Sequence, residues 1–291
     1  MHSTKACLIT LCLSFGFPLF AATSTADLPN TVWVVENYQQ LLKINPRSPN
    51  SIETALPVQG LASGEKIVGI DFRVARGDLY ALSNQGRIFI INLSSGVATL
   101  VPGSKPTEPI NEGHWGVDFN PAADKMRVVG KQNLNLRLHP DTGAIIDFDS
   151  KTSGTQTDPK LTYDRGDINA AYTPDIVAAA YTYNPNNEKL TTNYAIDKQR
   201  GTLVMQGTIE GATPAVSPNL GVLYTIGGLG IEPIQDASLD ISDINNIALG
   251  TITTSASLPA KLVVIDLTTG RAELLGHFPR GKTITGLAIE P

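Results

Sequence analysis

The chain has 291 residues, a formal net charge of −5 and charged side chains at only 17% of positions. This mild, dispersed acidity lacks the clustered Lys and Arg that nucleic acid or an anionic lipid surface requires, so neither is expected as a partner. The length suffices for one large core, and both cysteines, Cys7 and Cys12, lie near the start.

Residues 1–26 read as a secretory signal. Lys5 supplies the charged start, and residues 6–20 form an apolar run broken by Ser14, Gly16 and Pro18. That run is shorter than the ~20 residues a spanning helix needs. Ser24-Thr25-Ala26 places small side chains where a signal peptidase reads them, so cleavage is expected after Ala26. Leu11 is too bulky before Cys12 for a lipoprotein site. The mature chain, residues 27–291, is then thiol-free and one unit more acidic, a single domain in the periplasm or outside the cell with no membrane insertion.

The rest is a repeat of short strands. Residues 32–35, 41–44 and 53–56 resemble the later strands of a unit that lacks its first. A full unit starts at Ile67-Val68-Gly69-Ile70-Asp71-Phe72, turns at Arg76-Gly77, and continues through residues 79–82 and 87–93. It then turns at Ser94-Ser95-Gly96 and ends with 97–101. A second starts at Trp115-Gly116-Val117-Asp118-Phe119, continues through 126–129 and 134–138, turns at Asp141-Thr142-Gly143 and ends with 144–148. Glycine in these turns supplies the positive φ that a tight hairpin demands. A less regular copy runs from Val177 through Tyr181 to Met205, and another holds residues 261–267 and 272–275 around Thr268-Thr269-Gly270. Residues 283–290 look like a first strand with nothing after it.

Both ragged ends are explained if the C-terminal strand completes the N-terminal unit. The expected fold is therefore all-β: a β-propeller of five four-stranded blades closed on itself. Residues 222–226 form one more candidate strand, which leaves six blades open. A β-sandwich or barrel with similar turn spacing is the alternative.

Several motifs resemble a family of secreted, mostly bacterial proteins known only as domain of unknown function 4394. They are Gly69-Ile70-Asp71-Phe72, Gly116-Val117-Asp118-Phe119-Asn120-Pro121, Asn135-Leu136-Arg137-Leu138 with Pro140-Asp141-Thr142-Gly143, Gly166-Asp167-Ile168-Asn169, Ala178-Ala179-Ala180-Tyr181 and Thr285-Gly286-Leu287-Ala288. The resemblance covers nearly the whole mature chain and implies an exported, propeller-like protein with no assigned activity. Residues 232–260 fit it least well.

Reactive groups are scarce. His114, His139 and His277 are isolated in sequence, without zinc-ligand spacing. No serine sits in a Gly-x-Ser-x-Gly setting, and Gly227-Gly228-Leu229-Gly230 lacks the helix and Lys of a phosphate loop.

Asp71 and Asp118 occupy equivalent places on innermost strands, where they can converge on the central channel. There they would bind Ca²⁺ or act as acid and base, or else accept backbone N–H groups between blades in a structural role. Asp164, Asp167 and Asn169, near Asp147, Asp149 and Asp158, form a second candidate cation loop. The Arg165-Gly166-Asp167 it contains is a common chance match, and a capped turn explains the same residues. Arg127 and Arg137, on adjacent strands, suit either an anionic ligand or an inter-blade ion pair.

Two functional readings follow. The first is a non-enzymatic, monomeric binding or scaffold propeller for a small molecule or extracellular protein. The second is a Ca²⁺-dependent, lactonase-like hydrolase with carboxylates at the channel.

Overall fold

The computed structural model describes residues 27–105, 113–281 and 283–291. The expected signal segment, residues 1–26, lies outside them. Five small, predominantly antiparallel sheets stand in a ring as the blades of a propeller. Blade one holds β1 (Val32–Glu36), β2 (Gln40–Ile44) and β3 (Ile52–Pro57). Blade two is β4 (Ile67–Arg73), β5 (Asp78–Ser83), β6 (Ile88–Ile91) and β7 (Ala98–Leu100). Blade three is β8 (Trp115–Asn120), β9 (Lys125–Gly130) and β10 (Leu134–Leu138). Blade four comprises β11 (Thr162–Tyr163), β12 (Ile176–Tyr181), β13 (Asn193–Asp197), β14 (Thr202–Gln206) and β15 (Val222–Gly228). Blade five is β16 (Asp236–Ile241), β17 (Ala248–Thr253), β18 (Lys261–Ile265) and β19 (Ala272–His277), after which β20 (Ile284–Ile289) returns to blade one.

The closure expected from the chain ends is present. Strand β20 pairs antiparallel with β1, placing Ile289 opposite Val32 and Leu287 opposite Val34. The sandwich and barrel alternatives therefore fall away. So does a sixth blade: residues 222–226 belong to β15, which pairs with β14 in blade four.

Not every blade has four strands. After β10 the chain makes only the single bridge Leu138–Ile145, so residues 144–148 form no full outer strand. The chain instead crosses to the next blade, where β11 runs parallel to β15 as a fifth strand. Leu161 is fully buried, and Thr162 and Asp164 donate their N–H groups to the carbonyls of Gly221 and Leu223.

Burial follows radial position. The inner strands β4, β12 and β20 are buried along their whole length, because neighbouring blades cover both faces. They consequently read as runs of mainly apolar and small residues, interrupted in β4 by the buried Asp71 and Arg73, whereas the outer strand β3 alternates. Small residues at the second or third inner-strand position let the strands crowd the axis. A Cβ built on Gly116 would lie 2.5 Å from the Ala179 nitrogen of the neighbouring blade. Large apolar clusters fill four of the seams between blades. The seam between blades three and four carries the smallest cluster, built around Val129, Ala179 and Leu223.

Candidate functional site

The inner strands bring Asp71 and Asp118 together at the axis with a third carboxylate, Asp240 of β16. One oxygen from each lies within 4.8 Å of the others, and all three residues are buried. Aligning the inner strands puts these aspartates at the same position as Ala180 in blade four and Ala288 in blade one.

The hydrogen bonds explain why three aspartates suffice for five blades. Asp71 accepts its own blade's Phe72 N–H at 2.8 Å and blade three's Phe119 N–H at 2.6 Å. Asp118 accepts Tyr181 N–H of blade four at 2.9 Å. Asp240 accepts Ile241 N–H at 2.6 Å and, across the closure, Ile289 N–H of blade one at 2.6 Å. The backbone N–H following the shared position is thus satisfied in every blade. Asp71 and Asp240 each serve two amides because the blade preceding each of them offers only alanine.

Burial, with repulsion from neighbouring aspartates, pushes all three carboxyls upward. For Asp71 and Asp118, desolvation dominates and the neighbouring aspartates add to it. Desolvation raises Asp240 from 3.8 to about 8 and nearby Asp243 to about 6. Three such groups cannot all be ionised without a counter-charge: they hold protons or a cation.

The second sequence-derived candidate is organised differently. Asp164 accepts the Gly166 N–H at 2.8 Å. Asp167 accepts the Asn169 N–H at 2.8 Å, together with the Thr225 N–H and hydroxyl at 2.6 and 2.7 Å. Asn169 donates its amide to Thr225 Oγ1. The geometry is that of a capped loop pinned onto β15. Among the described residues, the axial triad is the group of three or more potential ligands that comes together. The histidines stay apart: His114 pairs with Asp236, His139 accepts the Asp141 N–H, and His277 ends β19.

Arg127 and Arg137 face each other across β9 and β10. Arg127 is 1% exposed and donates to Tyr181 Oη, Asn135 Oδ1, Asp158 Oδ2 and Asn219 Oδ1, at 3.0, 2.7, 2.7 and 2.6 Å. Arg137 grips the same buried Asp158 through Nε and Nη2, at 2.8 and 2.7 Å. Gln206 of β14 joins by donating to Asn135 Oδ1 at 3.0 Å. This polar network occupies the seam where the apolar cluster is smallest. It borders a cleft of about 480 Å³, lined by Lys125, Arg127, Arg137, Tyr181, Lys189 and the segment after β14.

The sequence had signalled Asp71, Asp118, Arg127 and Arg137. Asp240 escaped it, although Leu239-Asp240-Ile241 repeats the pattern of Ile70-Asp71-Phe72, because the residue before Leu239 is serine rather than glycine. Asn219 and Lys189 carry no motif and reach the cleft only through folding.

The model of the domain of unknown function DUF4394 matches residues 40–288. The chain belongs to this family. A comparison with curated protein sequences gives no match. Among solved structures, the chain is similar to one in a nidogen/laminin complex, at 10% identity and a TM-score of 0.47, covering 90% of this chain and 98% of that one. It is also similar to a structural genomics protein of unknown function from Bacteroides thetaiotaomicron VPI-5482, at 12% identity and a TM-score of 0.49, covering 84% and 55%. An auxiliary nutrient binding protein from the same organism aligns at 13% identity and a TM-score of 0.38, covering 75% and 56%.

Proposed function

We propose that this protein is an exported, monomeric, non-enzymatic binding propeller that takes a small ligand in the cleft between blades three and four. The observation that carries the reading is the Arg127–Asp158–Arg137 network beside that cleft: two guanidiniums share one buried carboxylate at the seam whose apolar cluster is the smallest among the described residues. A stability argument alone gives little reason for it, since burying charge is costly and apolar packing serves a seam as well. The axial aspartates, by contrast, are committed to backbone amides and play a structural part. Export rests on the charged, apolar and small-residue order of residues 1–26. It is checked by the mass of the exported protein, expected to begin at Asp27.

The mature chain has no cysteine, so Ile209→Cys on the cleft rim can carry a single environment-sensitive fluorophore. Screened against a library of small metabolites, the labelled protein is expected to respond saturably to at least one compound, recovered unchanged after prolonged incubation. Chemical turnover of the bound compound would overturn the non-enzymatic reading, and silence across the library would overturn the binding one.

The convergence of Asp71, Asp118 and Asp240 favours a second reading, in which Ca²⁺ sits on the axis and supports a lactonase-like hydrolase. Elemental analysis, together with melting in Ca²⁺ and in chelator, tests it. No bound metal and no shift would remove it.

A further inference from the structure

We infer that the cleft between blades three and four is an anion site, and that Arg137 is the residue that grips a carboxylate or phosphate group on a small organic ligand. This rests on the reading of the cleft as the binding site and adds to it the ligand class and the recognising atoms.

The geometry of the two arginines separates their roles. Arg127 spends Nε, Nη1 and Nη2 on protein acceptors, and its side chain is closed to solvent. It positions the network. Arg137 uses only its side edge, Nε and Nη2, on Asp158, and among the described residues no hydrogen bond engages Nη1. Its side chain is 19% exposed and lines the cleft. The end-on edge of the guanidinium is therefore open, and that edge is the fork that fits two oxygens of a carboxylate or phosphate.

Charge points the same way. Lys125, Arg127, Arg137 and Lys189 line the cleft against one lining carboxylate, Glu210, and Asp158 behind the wall is shared by two arginines. Lys125 Nζ donates to the carbonyls of Ala123 and Asp124, and the Asp124 carboxylate is itself hydrogen-bonded to Arg73. The cleft is thus locally cationic on a chain whose net charge is −5. Its volume of about 480 Å³ falls within the ~300–1,000 Å³ of small-molecule sites. Leu190 and Val216 on the wall suit an apolar body behind the anionic head.

Benzoate, hexanoate and phenyl phosphate serve as anionic probes, with benzyl alcohol and hexanol as their uncharged counterparts. Titrated into the chain of residues 27–291 labelled at Ile209→Cys, the anions are expected to bind saturably and at least about tenfold more tightly than the alcohols. Arg137→Ala is expected to weaken them about tenfold, and Arg137→Lys nearly as much, because lysine keeps the charge but lacks the fork. Should Arg137→Ala melt early, Arg137→Lys, which keeps a cation for Asp158, carries the test. Equal anion affinity in Arg137→Lys and the parent overturns the inference. Alcohols bound as tightly as the anions overturn the ligand class while leaving the cleft as the binding site. A label unresponsive to every anion overturns the inference, and the cleft itself falls only if the metabolite screen is also silent.

Discussion

At the scale of single residues, the axial triad sets two demands against each other. Five inner-strand amides need acceptors, and three neighbouring carboxylates repel one another when ionised. The raised carboxyls, with Asp240 near 8, bind protons more tightly in the folded chain than in the unfolded one. Their contribution to stability is therefore full below about pH 4 and is lost as pH rises through the folded values. In chelator, Asp240's share of the unfolding free energy is expected to fall between about pH 4 and pH 8, read from urea melts, and Asp71 and Asp118 act in the same direction. A cation on the axis would flatten that slope.

The variants Asp118→Asn and Asp71→Asn sharpen the point. Asp118 accepts one inter-strand amide, which an asparagine oxygen still satisfies, so this change relieves repulsion at little cost. Asp71 accepts two, on separate oxygens, so Asp71→Asn leaves one buried N–H facing an NH₂ group, at a cost of about 1–3 kcal/mol. At pH 8 in chelator, Asp118→Asn is expected to be the more stable of the two. Equal losses would show that the amide accounting is wrong.

At the scale of elements, each inner strand presents a small residue that admits the neighbouring blade and, in three of them, an aspartate that ties the strands together. Gly116 tests the first half. Its added Cβ would press on the backbone of Ala178 and Ala179, and backbone at the axis has nowhere to retreat. Gly116→Ala is expected to lose about 1–3 kcal/mol, as overpacked sites do, and Gly116→Val more, both read from denaturant midpoints.

This layer was largely legible in the sequence, because Gly-Ile-Asp-Phe and Gly-Val-Asp-Phe repeat a physical requirement. What was not legible is equally physical. A strand such as β15 carries no mark of the sheet it will join, so residues 222–226 were compatible with a sixth blade. The missing outer strand of blade three depends on where the chain crosses over, which no local pattern records. The cleft draws on residues from β8, β9, β10, β12 and three loops, and only Arg127 and Arg137 stood out beforehand as candidate ligand residues.

At the scale of the whole molecule, the ring is held shut by strand pairing inside blade one rather than by seam packing alone. Strand β20 is hydrogen-bonded to β1, and Ile289 also reaches Asp240 of blade five. The two ends of the described residues lie together, since Asp27 to Thr31 and Glu290 to Pro291 line one surface recess. A circular permutant separates these contributions. Joining Pro291 to Asp27 through a short flexible linker and opening the exposed loop between Ser63 and Gly64 keeps strands β1 to β20 and every axial hydrogen bond described above. Blade one then becomes continuous in the chain, and the opening falls between blades one and two. Closure in the permutant rests on side-chain packing across that seam, around Trp33, Ile70 and Phe89, and on the short backbone bridge between Gln59 and Val97, with no strand shared between the chain ends. It is expected to fold with the parent's far-ultraviolet dichroism but to unfold faster in urea, because the seam can part without breaking a sheet. Unfolding as slow as the parent's would mean that seam packing, not the shared blade, keeps the ring closed.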